Sequence, residues 1–396
     1  MSTPTAAPDQ IAETVIKLNA GWYNVVAQAL NLDTSTFLLA QGTLGLQSND
    51  SSGLYLMSDA VIPSASVAYL DPTGLSKRSS AYRMLLGALR SEGGTDLPAV
   101  LGDQYSRWLD YRDNWWKQNP TSTLTQATLF EQWADRMLNP GQKASAIAVF
   151  KQQANTPLIR ALDALSAPAA TQEFVRQDGE RYRLFVYSAN IEAARQGLNT
   201  GGQATIDFNS ESMESRLQHT TVMGSASGFY DIFSASASGS FDQLNKQASE
   251  SSLTVKGRIG QYSTLVTHPM DWFQSDEYMR AYNNKGADVW DPQASAGDWD
   301  SFFAQPNGQL ARRLSQLVLV SDYDLTVTSH ATYSQSQVQQ ITAEASGGVW
   351  PFFSASASSS HRTEYHHNDD GTLSVEHKLP KGDVQIWGAN YQNAPK

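Results

Sequence analysis

The octapeptide Phe233-Ser-Ala-Ser-Ala-Ser-Gly-Ser240 returns as Phe353-Ser-Ala-Ser-Ala-Ser-Ser-Ser360, seven of eight residues identical at an offset of 120. Ala-Ser-Gly precedes both copies, at 226–228 and 345–347, with a one-residue difference in spacing. Ser252-Leu-Thr-Val255 and Thr372-Leu-Ser-Val375 follow them, again 120 apart. Flanks that match in fixed register mark a duplicated structural unit rather than low-complexity sequence. The chain is therefore expected to contain two equivalent β units, at about 204–260 and 324–380, paired across a pseudo-twofold.

The repeated segment has period two. Ser234, Ser236 and Ser238 share one face of an extended chain, and Phe233, Ala235 and Ala237 share the other. This Ser-rich alternation resembles the membrane hairpins of β-pore-forming toxins, where one face meets lipid and the other the lumen. Such a resemblance implies membrane or partner contact by Phe233, Ser234 and Ser236, and by Trp350, Phe352 and Phe353 ahead of the second copy. The competing reading is a strand whose small side chains let another backbone layer approach closely.

Cutting the chain near Thr200 separates two chemistries. Residues 1–200 carry 16 basic and 18 acidic side chains, and residues 201–396 carry 12 and 21. Serines rise from 17 to 28, and all seven histidines lie in the second part. In the first part, Val15, Leu18, Trp22, Val25, Val26 and Leu30 follow a helical period, as do Leu97 to Trp116. Thr123 and Gln126 have capping-box spacing, Asn139-Pro140-Gly141 ends that helix, and Thr156-Pro157 starts another. The stretch from Leu39 to Lys77 reads as loops with an extended piece at Leu54–Met57.

Strand patterns begin after residue 171, at 183–187, 204–208, 261–267, 316–320 and 325–327. A helical and loop insertion at about 268–312 interrupts them. The expected fold is α+β: a helical N-terminal domain, 1–170, then a sandwich-like β-rich domain, 171–396, built from the duplication.

Much chemistry is excluded. The chain has no cysteine, which removes disulfides, thiolate metal sites and cysteine nucleophiles. A net charge of −11 argues against nucleic acid. The first residues show no signal-peptide pattern, giving an expected location in the cytoplasm, or outside the cell by a route without a classical signal. HExxH, Walker A, GxGxxG and GxSxG motifs are absent, and no catalytic residue is assigned.

Histidine is the remaining reactive type. His361, His366, His367 and His377 cluster with Glu364, Asp369 and Asp370, suited to a divalent metal, to a charge switch between about pH 5 and 8, or simply to a solvated hairpin tip. His219, His268 and His330 stand singly in strand-like stretches; converging, they would ligate a metal, and one alone would be enough to ligate haem. Trp108, Trp115, Trp116 and Trp133 fit a helical core, or a pocket for a small apolar ligand.

Two functions follow. The first is a non-enzymatic, toxin-like or pore-forming β protein that acts on membranes or self-associates and needs no cofactor. The alternative is an oxidative enzyme with a His-ligated metal or haem, acting on a small apolar or aromatic substrate.

Overall fold

The computed structural model describes residues 10–40, 50–62, 69–70, 76–90, 96–153, 155–176, 178–212, 247, 251–286, 289–294, 297–304, 308–344 and 362–393. The chain opens with α1 (Gln10–Ala29), β1 (Phe37–Ala40), α2 (Ser52–Ser58) and β2 (Tyr69–Leu70). A run of helices follows: α3 (Arg78–Gly87), α4 (Asp96–Leu101), α5 (Gln104–Gln118), α6 (Gln126–Met137), α7 (Pro140–Gln153) and α8 (Pro157–Ala164). Next come the hairpin β3 (Thr171–Val175) and β4 (Arg181–Phe185), α9 (Ile191–Asn199), β5 (Gly202–Asn209) and β6 (Leu253–Val266). The chain then forms α10 (Ser275–Asn283), α11 (Trp299–Phe303), β7 (Arg312–Ser329), α12 (Gln335–Glu344), β8 (Arg362–His367), β9 (Leu373–Leu379) and β10 (Gln385–Asn393).

The mixed α+β class holds. The expected sandwich is replaced, among the described residues, by one eight-stranded sheet and the small β3–β4 hairpin. The long strand β7 organises the sheet. Residues 316–329 of β7 pair with β6, while its other edge pairs with β10 over its first half and with β9 over its second. β5 lies outside β6, and β8 outside β9.

Side-chain parity changes along β7. Val318 and Val320 face one core with Trp22, Tyr23 and Val26 of α1; beyond residue 322 it is Tyr323, Leu325 and Val327 that face it. An L residue cannot reverse strand alternation without a local irregularity. Asp322 supplies it with φ +51°. β6 changes with β7: Leu253, Val255 and Ile259 face the α1 core, followed by Tyr262. Its partner there is Gly260, so the β6–β7 ladder crosses the fault without losing register.

Packing does not stop at residue 170. α1 lies on the sheet with Val338 and Ile341 of α12, in a core shared with β5, β6, β7 and β9. A second core joins α3 to α8 with Trp272, Tyr278 and Phe302 from the 268–312 insertion. In the third, Ala194 and Leu198 of α9 cover Leu317 and Leu319 on the face of β7 opposite α1. Trp108 and Trp133 are fully buried in the second core, 5.5 Å apart between ring centres, as core rather than pocket.

Several local readings change. The 97–116 helix is broken at Gly102, which takes φ +54° between α4 and α5. The cap of α6 is Thr125, whose hydroxyl accepts from the Thr128 amide, rather than Thr123. Asn139 is followed at once by α7. The Leu54–Met57 piece belongs to helix α2, whose side chains are almost all buried. Such helices carry apolar residues all round, so no period is visible.

Candidate functional site

Both copies of the FSASAS repeat lie in segments that leave the sheet at one end. Residues 210–252 join β5 to β6, and residues 330–372 join β7 to β9. At that end Leu253, Ser329 and Leu373 stand level on three neighbouring strands. The pair Phe208↔Val255 in the first unit corresponds to Val327↔Val375 in the second, 119 residues on before the segment and 120 after it. That is the same one-residue difference the sequence shows around the repeats.

The expected pseudo-twofold is not the relation between these strands. β6 and β9 are both antiparallel to β7, so they run in one direction, and Val255 and Val375 point into the same core. Every twofold either reverses strand direction or exchanges the faces. A sideways step across the sheet relates them instead.

Beyond the Gly260–Asp322 fault, one face of the sheet is packed and the other is polar and solvent-facing. Asp207, Lys256, Arg258, Asp324, Glu376 and Lys378 occupy it in neighbouring rows. Opposite charges pair across neighbouring strands and along β9. Lys256 is 3.8 Å from Asp207, Arg258 reaches Asp322 at 3.3 Å, and Lys378 reaches Glu376 at 2.6 Å. The Lys378 contact holds the Glu376 carboxyl below its usual range. Exposed pairs like these are worth little individually, about 0–1 kcal/mol, so they set the character of the face more than its stability.

At the β8 edge of this face, Glu364, His366 and Glu376 each bring a ligand-type atom within 4.8 Å of the others. The His366 Nε2 is 3.9 Å from a carboxylate oxygen of both glutamates. One imidazole and two carboxylates at this spacing are a group able to hold a divalent ion. Of the expected histidine cluster, His367 instead bonds the Tyr333 carbonyl oxygen at 2.8 Å, and His377 is buried on the opposite face.

His268 and His330 do not converge. His268 follows β6 at one end, its Nδ1 against the Pro269 carbonyl oxygen; His330 sits at the other end, its backbone N–H bonded to the Ser252 carbonyl. The 14-residue length of β6 separates them, roughly 40 Å at about 3.3 Å per residue. The expected metal site shared by His268 and His330 is thereby corrected, since strand length fixes them apart. His219, Phe233, Ser234, Ser236, Trp350, Phe352 and Phe353 lie outside the described residues.

Residue spacing did not reveal the Glu376 contribution to the trio, because only the β8–β9 register brings it opposite Glu364. No helix among the described residues is long and apolar enough to cross a membrane. Comparison with protein-family models, curated proteins and solved structures finds no match, so function is read from the sheet and its two inserted segments alone.

Proposed function

We propose that this chain is a non-enzymatic, pore-forming β protein of toxin-like character that self-assembles on membranes through its two repeat-bearing segments. The observation that carries the reading is their common point of departure. Continuing β5, β6, β7 and β9 past the end of the sheet turns 210–252 and 330–372 into two adjacent hairpins. Each segment has 43 residues. A bilayer-crossing strand takes about 9–11 residues, so a hairpin fits in either.

The chemistry of the repeat supports the same reading. A strand can enter lipid only in a closed barrel, where every backbone group is paired and one face is polar. Phe-Ser-Ala-Ser-Ala-Ser offers a hydroxyl face for the lumen and a small apolar face, with Phe233, Trp350, Phe352 and Phe353 as membrane contacts. One chain supplies too few strands for a barrel, so the reading requires several copies. At the segment end the sheet offers two edges for this, β5 and β8, each with one partner strand among the described residues.

In the present form α12 and β8 occupy parts of the second segment, and lengthening that hairpin requires their release. α12 is anchored by Val338 and Ile341, and β8 by β9. The test uses the absence of cysteine, which makes any introduced thiol unique. Single variants from S234C to S238C and from S354C to S358C, labelled with a polarity-sensitive dye, are mixed with liposomes. Emission alternating between blue-shifted and unchanged with period two supports insertion as strands. A uniform response, or none, sinks the proposal.

A further inference from the structure

A crevice open at one side lies among α3, α5 and α8, far in the chain from the repeats. Met84, Leu162 and the Trp116 ring form apolar walls. Two residues of this lining carry buried donors, Arg83 Nη1 and Trp116 Nε1, and neither has an acceptor among the described residues. Arg83 is only 6 % exposed, its guanidinium stacked 3.8 Å over the Trp116 ring. Its Nη2 makes only long contacts, 3.3 Å to the Leu165 carbonyl and 3.4 Å to that of Pro120.

Leaving a buried donor unpaired costs about 1–3 kcal/mol, and more when it is charged. Two such donors in one cavity wall are a specific anomaly, because native structures pair nearly all buried polar groups. The charge balance has the same sense. Arg112 is neutralised by Asp113 at 2.8 Å, which leaves Arg83 and Lys117 as cations beside the cavity. Burial away from water pushes Arg83 down to about 9, the mark of a cation whose charge is poorly compensated.

We infer that this crevice binds a small monocarboxylate with a short apolar body. The carboxylate accepts from Arg83 and Trp116, and its apolar part rests on Met84 and Leu162. Asp113, whose Oδ2 has no donor among the described residues, stands on the same wall and disfavours a second negative charge on the ligand.

Calorimetric titration of the full chain with benzoate, butyrate, succinate and chloride tests this. Benzoate or butyrate is expected to bind saturably with Kd of about 1 mM or below, and succinate and chloride more weakly. W116F removes the N–H together with the pyrrole half of the indole, and K117Q removes an exposed charge. Each should weaken binding about fivefold, the worth of one hydrogen bond of ordinary strength. R83M should abolish it, and if that variant does not fold the other two decide. Absence of saturable monocarboxylate binding, unchanged affinity in both W116F and K117Q, or chloride binding as tightly as benzoate would each overturn the assignment.

Discussion

The Asp322 carboxylate occupies the space that a side chain on Gly260 would need: a Cβ built there meets Asp322 Oδ2 at 2.1 Å. Asp322 is held in place by Arg258, whose two terminal nitrogens reach its two oxygens at 3.3 Å. Its positive φ turns β7 over, and the bare Gly260 lets the turned carboxylate lie flat across β6. Sheet parity on both strands depends on this pair.

G260A is therefore expected to destabilise the fold by about 1–3 kcal/mol, the usual cost of overpacking a fitted site. D322G should be tolerated better, since glycine adopts the left-handed conformation without penalty. In the double variant G260A/D322G, part of the loss should return, because the closest clash is with the side chain. G257A is the control: its Cβ would meet the Asp324 backbone oxygen at 2.0 Å, and no partner substitution relieves that. Urea unfolding of the four variants measures the coupling; strict additivity in the cycle would refute the pairing.

A buried carboxylate gives a pH-dependent prediction. Asp59 closes α2 against α3, accepting from the Ser79 amide and hydroxyl at 2.7 Å each and from the Tyr187 hydroxyl at 2.8 Å. Burial outweighs these bonds and raises its pKa above the ordinary range. The folded state thus holds the proton more tightly than the unfolded chain. This contribution is fully present below the unfolded pKa and is lost as pH rises through the folded one. D59N, neutral throughout and of the same shape, should match the wild type near pH 3.5 and gain on it towards pH 8, as estimated from the reference carboxylate pKa near 4. Equal gaps in unfolding free energy at both pH values would contradict this.

The Glu364–His366–Glu376 group has its own test. Zn²⁺ or Ni²⁺ added to the full chain should shift the His366 ring resonances, and H366A should lower the affinity by about 10-fold or more, losing the one nitrogen ligand. Lys378 competes for Glu376, so K378M should bind the ion more tightly. Identical titrations for wild type, H366A and K378M would exclude the group as a metal centre.

β5 and the second part of β6 were readable from β-branched alternation, but the central strand was not. Residues 316–320 and 325–327 read as two strands because Ser321-Asp322-Tyr323-Asp324 breaks the apolar pattern. They are one 18-residue strand whose inward positions move by one at Asp322. A periodicity argument cannot bridge a change of phase, since the two halves alternate correctly and disagree with each other. β1 was hidden for a different reason: Phe37-Leu-Leu-Ala40 is too short and too uniformly apolar to show alternation. Among the site residues, the partners of His366 required the β8–β9 register.

The two segments are also tied to each other. Gln247, in the first, donates to the Thr332 carbonyl and accepts from Gln337 Nε2 at 3.1 Å in α12 of the second. Bridging Q247C and Q337C with a short bis-maleimide should therefore hold both segments in the present form. The cross-linked protein is expected to lose membrane activity, and each single thiol variant, capped separately, to keep it. Full activity after complete cross-linking would show that the segments need not separate.

The most direct measurement is release of an encapsulated dye from liposomes at pH 5 and 7.5, with the lipid-bound protein sized by sedimentation after detergent extraction. Pore formation by the repeat-bearing segments predicts saturable release accompanied by a discrete high-mass oligomer. Intact liposomes at both pH values, with a protein that stays monomeric, would contradict it.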